Sequence, residues 1–149
     1  MRQAERALQR EVMYRLRSPR LPLDAVVIGS PNGVWFPART PAERSLAARI
    51  IHQLKVLGQL TPGAPDLLFL WRGGGGGIEL KRPAERRLFD HHAKGRLSDE
   101  QQAFRERCQR HGVPYAVCES WAEVRDTLIE WGRLPANYVD PENRIGRVA

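Results

Sequence analysis

The sequence predicts an α/β (α+β) domain built on a central mixed β-sheet flanked by helices, and three observations carry that prediction. Short apolar runs, DAVVIG (24–29), DLLFLW (66–71), IELK (78–81) and PYAVCE (114–119), have the length and composition of strands. The longer segments between them place apolar residues at helical spacing. Several of those segments open on Ser or Thr followed three residues later by Glu or Gln, which marks a capped helix start. Strands interleaved with helices call for a layered sheet-and-helix architecture.

Each element follows in turn. AERALQREVMYRL (4–16) puts Glu5, Leu8, Gln9, Val12 and Leu16 on one helical face while Arg2, Arg6 and Arg10 project elsewhere, and the helix ends near Pro19. Residues 24–29 form a short strand, SPNG (30–33) a turn and VWF (34–36) the return of a hairpin. Thr40-Pro41-Ala42-Glu43 combines an N-cap, a first-turn proline and a glutamate that bonds back, and opens a helix through Leu57 that Gly58 ends. Residues 66–71 and 78–81 read as two antiparallel strands, with the five glycines Gly73 to Gly77 as their connection. Ser98 opens a helix to about Arg110 stopped by Gly112, residues 114–119 form another strand, and Ser120 to Glu123 repeats the capping box before a helix to about Trp131. The expected organisation is one domain over residues 1–132 and a C-terminal tail over 133–149.

Composition bounds the function. With 42% hydrophobic and 28% charged residues the chain has the balance of a soluble globular domain. No apolar run approaches the ~20 residues of a membrane span, and the N-terminus lacks a signal core, so no membrane partner and a cytoplasmic location are expected. Cys108 and Cys118 read as reduced core thiols. The 24 Lys and Arg against 17 Asp and Glu give a net charge of +7, and their clustering in residues 2–20 and 81–96 suits a polyanionic partner such as nucleic acid.

The chemistry begins with charges placed on strands. Glu79 and Lys81 are two residues apart and share a face, whereas Ile78 and Leu80 point to the other side. Asp66, at the start of the antiparallel neighbour, falls beside Glu79. Two partly buried carboxylates repel unless a cation joins them, and Mg²⁺ or Mn²⁺ takes one or two carboxylates together with water and phosphate oxygens. An adjacent lysine suits phosphodiester hydrolysis, where negative charge grows on phosphorus. An isolated D and ExK is also compatible with an ordinary surface pairing of Glu79 with Lys81 and a turn at Asp66.

In order along the chain, TPGAPDLLFLW, IELKRP and GRLSDEQQAF resemble the virus-type replication-repair nuclease (VRR-NUC) domain of the PD-(D/E)XK superfamily, over roughly residues 4–131. The resemblance implies a restriction-endonuclease-like core in which Asp66, Glu79 and Lys81 are the metal-binding and catalytic residues and Leu80 offers a backbone carbonyl to the ion. It further matches Glu5, in an E-x-x-L-Q setting, to a fourth carboxylate, with Glu11 as the alternative register, and Gln101 to a residue contacting the scissile phosphate or the attacking water. Gln101 also fits a simple capping role behind Ser98, and the two roles are compatible. Arg82, Arg86, Arg87, Lys94, Arg96 and Lys55 are candidate phosphate contacts, and His91 and His92 lie in a loop without metal-ligand spacing.

The function expected from this reading is a metal-dependent, structure-specific DNA endonuclease that resolves Holliday-junction-like branched DNA as a homodimer. The alternatives are a nuclease acting on flap, nicked or linear duplex DNA, and a non-catalytic DNA-binding subunit. A pure binder would have no chemical reason to keep the D-E-x-K set.

Overall fold

A computed structural model of the chain describes residues 3–30, 40–58, 61–81 and 96–141, with side chains from Arg6 onward. The elements run α1 (Gln3–Leu16), β1 (Val26–Gly29), α2 (Pro41–Val56), β2 (Leu67–Trp71), β3 (Gly74–Leu80), α3 (Asp99–Arg110), β4 (Tyr115–Cys118) and α4 (Trp121–Glu130). The sheet order is β1-β2-β3-β4, with β1–β2 and β2–β3 antiparallel and β3–β4 parallel. This is the mixed sheet flanked by helices that the sequence predicts. The return strand expected at 34–36 lies outside the described residues, and β1 pairs with β2, Val26 opposite Leu70 and Gly29 opposite Leu67.

The core is made by alternation. Leu67, Phe69, Ile78 and Leu80 point to one sheet face, where Leu8, Val12 and Leu16 of α1 and Val124 and Leu128 of α4 bury them. The i, i+4, i+8 spacing of the α1 residues makes a single apolar stripe, which is why this otherwise charged segment is held as a helix. By contrast α2 buries none of its residues, and Leu46, Val56 and Leu57 stay exposed.

The glycine run departs from expectation. The hairpin turns at Arg72 and Gly73, with Gly73 at φ +82°, and Trp71 already pairs with Gly74. Gly74 to Gly77 are therefore ladder residues of β3, not a connection. Glycine normally weakens a strand, but other residues occupy the missing side-chain space. A Cβ on Gly76 would lie 2.7 Å from the Trp131 ring, and one on Gly77 would lie 2.7 Å from Cγ of Pro65. Trp131 in turn meets Phe69 edge-on at 6.3 Å and Trp71 at 6.0 Å.

Two capping boxes form as predicted, at Thr40 with Glu43 and at Ser98 with Gln101. The third differs. Ser120 accepts the Glu123 N–H at 3.2 Å, but the Glu123 carboxylate reaches past the cap to the Glu119 N–H at 3.0 Å. Past α4 the chain stays on the body through residue 140. Leu134 is buried, and the buried Asp140 accepts from Nε1 of Trp121 at 3.0 Å, from Arg125 at 3.1 Å and from the Tyr138 hydroxyl at 3.3 Å. Among the described residues no helix is long and apolar enough to cross a membrane.

Candidate active site

The site is assembled at the end of the sheet where β2 begins and β3 ends. Leu67 pairs with Ile78, so the next position of the antiparallel ladder sets Asp66 opposite Glu79. Oδ2 of Asp66 accepts the Leu80 N–H at 2.8 Å, which turns this carboxylate toward β3. In a strand the N–H and C=O of one residue project to the same side, so the Leu80 carbonyl opens toward Asp66 as well.

Ile78 and Leu80 enter the core, so strand alternation delivers Glu79 and Lys81 to the opposite face. Nζ of Lys81 lies 2.8 Å from Oε1 of Glu79 and donates to Oε1 of Gln101 at 3.0 Å. Nε2 of Gln101 donates to the same Glu79 oxygen. The Gln101 carbonyl oxygen also accepts the Ser98 N–H at 3.0 Å, so a single glutamine closes the helix cap and touches both charged residues of the strand. The capping role is realised, and the same side chain stands beside the two charges of the strand.

The approach of α3 to this end of the sheet depends on TPGAPD. Gly63 sits at φ +76°, and a Cβ there would fall 2.1 Å from the Glu100 carbonyl oxygen. Only glycine lets the segment before Asp66 lie against the first turn of α3. The chain therefore places the capping glutamine beside the strand carboxylates.

Electrostatics single out Glu79, which is 3% exposed. Burial, and after it the charge of Asp66, pushes its carboxyl up to about 7, while Lys81 and Gln101 pull in the opposite direction. Oε2 of Glu79 is buried and has no hydrogen-bond partner among the described residues. A buried, unpaired carboxylate oxygen is costly, and its neighbours on this face are a second carboxylate and a backbone carbonyl. Such a set of hard oxygen donors fits a divalent cation of the Mg²⁺ or Mn²⁺ type. Among the described residues no group of three or more His, Cys, Asp and Glu side chains converges.

The structure thus brings together Asp66, Glu79, Leu80, Lys81 and Gln101. Glu5 belongs to the first turn of α1, with its side chain outside the described residues, and Glu11 is exposed and ion-paired with Arg15 at 3.2 Å. Lys55 ends α2 close enough to α3 to act on Glu100, whose carboxyl is held down by its own backbone N–H first, then by Ser98, with Lys55 adding to this. Arg96 is exposed two residues before the Ser98 cap. Arg82, Arg86, Arg87, Lys94, His91 and His92 lie outside the described residues, as does most of the SPNG turn.

Sequence reasoning did not single out Tyr115. It stands opposite Gly77 on the strand parallel to β3, and its buried hydroxyl has no hydrogen-bond partner among the described residues. Burial, then the charges of Glu79 and Asp66, pushes its phenol far up. The available signal was a lone aromatic following Pro114 on a strand next to the charged one. Ser98 was legible only as a cap and Gly63 was not singled out, because their contribution runs through backbone groups.

In comparison with known families, the profile of the VRR-NUC domain fits residues 4–122. No curated protein matches the chain. No solved structure matches it either.

Proposed function

The chain belongs to the VRR-NUC family, a family of nucleases, and from that premise we propose that it is a metal-dependent endonuclease cutting structured DNA. The observation that carries the reading is the unpaired, buried Oε2 of Glu79, set among Asp66, Lys81 and Gln101 at one end of the sheet. Asp66, Glu79 and the Leu80 carbonyl would hold Mg²⁺ or Mn²⁺, with Glu5 as a further carboxylate from α1. When bound there, such an ion polarises the scissile phosphate and lowers the pKa of a water for in-line attack.

The chain's own residues do the rest. Lys81, anchored at 2.8 Å to Glu79, keeps an ammonium where negative charge grows on the phosphoryl oxygens. Gln101, fixed by the Ser98 cap, offers an amide that orients a water or a phosphate oxygen. Lys55 and Arg96, with Arg82, Arg86, Arg87 and Lys94, supply backbone contacts that fix register and read little base sequence.

We extend the reading to branched DNA of the Holliday-junction type and to a homodimer. Resolving a junction needs two cuts, and each protomer carries one such site. The test is to incubate the pure protein with four-way junction, flap, single-strand and duplex DNA in Mg²⁺, Mn²⁺ or EDTA, beside Lys81→Ala. Metal-dependent cleavage that Lys81→Ala lowers by at least ~100-fold is expected. Absence of cleavage on every substrate, or cleavage indifferent to both EDTA and the substitution, sinks the mechanism. Cleavage confined to linear duplex removes the junction claim alone.

A further inference from the structure

A second basic feature meets the site from the opposite side of the sheet edge. Arg6, Gln9, Arg10, Met13 and Arg17 follow one another along α1 at spacings of three, one, three and four, which makes a continuous stripe. The stripe walls a cleft of about 430 Å³ whose floor is the end of β1, at Gly29 and Ser30. The adjoining face of α1, Leu8, Val12 and Leu16, is buried in the core, so the helix cannot roll to carry the arginines elsewhere.

The cleft floor lies at the same end of the sheet as the candidate site, Gly29 pairing with Leu67. The Ser30 N–H donates to the Asp66 carbonyl at 2.8 Å, which puts the cleft floor one strand spacing, roughly 5 Å, from the residue carrying the first carboxylate. Arg10 and Arg17 are exposed, and no carboxylate pairs with either among the described residues. Guanidinium groups with a hydroxyl and an amide around a polar cleft are the donor set that phosphodiester oxygens take.

We propose that this α1–β1 cleft is a binding site for the DNA phosphate backbone next to the scissile position, with Arg10 and Arg17 as its phosphate-contacting residues. The track presupposes DNA as the substrate proposed above, but not cleavage. It runs on the α1 side of the sheet, whereas Lys55 and Arg96 approach from the side of α2 and α3. Together the two sides make the nucleic acid straddle the sheet end instead of resting on one face.

The test is equilibrium binding of a labelled DNA duplex or junction in EDTA across 50–300 mM salt, together with single-turnover cleavage by wild type in Mg²⁺ with the protein in saturating excess over the DNA. Three doubles are compared with wild type: Arg10→Gln/Arg17→Gln, Arg10→Lys/Arg17→Lys, and Arg107→Gln/Arg110→Gln at the far end of α3 as an equal-charge control. Losing two phosphate contacts lowers the slope of log K against log salt by about 1 to 2 and weakens binding roughly 10- to 60-fold at 0.1 M salt. The expected result is that loss in the first double only and a near-normal slope in the lysine double. An unchanged slope in Arg10→Gln/Arg17→Gln overturns the proposal, as does an equal drop in the Arg107/Arg110 control. A wild type that binds with this pattern yet cuts nothing removes the nuclease reading and leaves the track standing. A wild type that cuts while the slope stays put removes the track alone.

Discussion

Replacing Glu79 by Gln tests the electrostatics of the site without reference to any substrate. In the metal-free protein the Glu79 carboxyl rises from its ordinary value of 4.5 to about 7, first through burial and then through Asp66. Between those values the folded state holds a proton that the unfolded chain has released. Stability from this group is therefore fully present below about 4.5 and is lost as pH climbs through about 7. At ~1.4 kcal/mol per pH unit the loss amounts to about 3 kcal/mol. Glu79→Gln keeps the shape and one carbonyl oxygen but does not titrate. Urea denaturation in EDTA from pH 4.5 to pH 8.5 should then show wild type falling by about 3 kcal/mol relative to the variant. Adding Mg²⁺ at pH 8 should restore wild type and not Glu79→Gln, because metal binding takes up the deprotonated carboxylate. Parallel pH curves for the two proteins in EDTA would refute the burial argument.

Three other outcomes follow from contacts already described. Gln101→Ala removes the reciprocal bond of the Ser98 cap and both contacts to the strand charges, so unfolding free energy should drop by about 1 kcal/mol while single-turnover cleavage falls at least ~10-fold; a stability loss with an unchanged rate would leave it as a cap only. Asp140→Ala strands Nε1 of Trp121 and half-strands Arg125, which keeps Asp126, so urea denaturation should register a loss of about 2 kcal/mol, and no loss would detach residues 133–141 from the folded body. Gly76→Ala pushes a methyl to 2.7 Å from the Trp131 ring, and a loss of about 1–3 kcal/mol with altered tryptophan fluorescence is expected.

What could be read from the residues depended on how local the cause was. The α1 stripe of Leu8, Val12 and Leu16 and the caps at Thr40 and Ser98 involve neighbours within a few positions, and the corresponding elements were legible. The glycines were not, because the features that make Gly76 and Gly77 strand residues are Trp131 and Pro65, distant in the chain or out of period. At the candidate site the two-residue spacing of Glu79 and Lys81 already implied a shared face. The Leu80 N–H on Asp66 and the Ser98 N–H on Gln101 are backbone groups, which side-chain patterns do not report. Nor could Asp140 be assigned, since its meaning comes from an indole nineteen positions away. Sequence position also hid the arginine stripe: Arg6 and Arg10 were visible as charge, but their alignment with Ser30 is tertiary.

The glycine half of β3 acts as a ruler. Side chains normally lock a strand against sliding, and four identical residues without side chains cannot do so. Here the count is kept by two seats, the Trp131 indole over Gly76 on one face and the Pro65 ring over Gly77 on the other. A slip of one residue would carry Ile78 out of the core and turn Glu79 into it, exchanging an apolar anchor for a carboxylate. The number of glycines is therefore a coordinate of the candidate site, and a chain with one more or one fewer would be expected to displace Glu79 and Lys81 from Asp66 and Gln101.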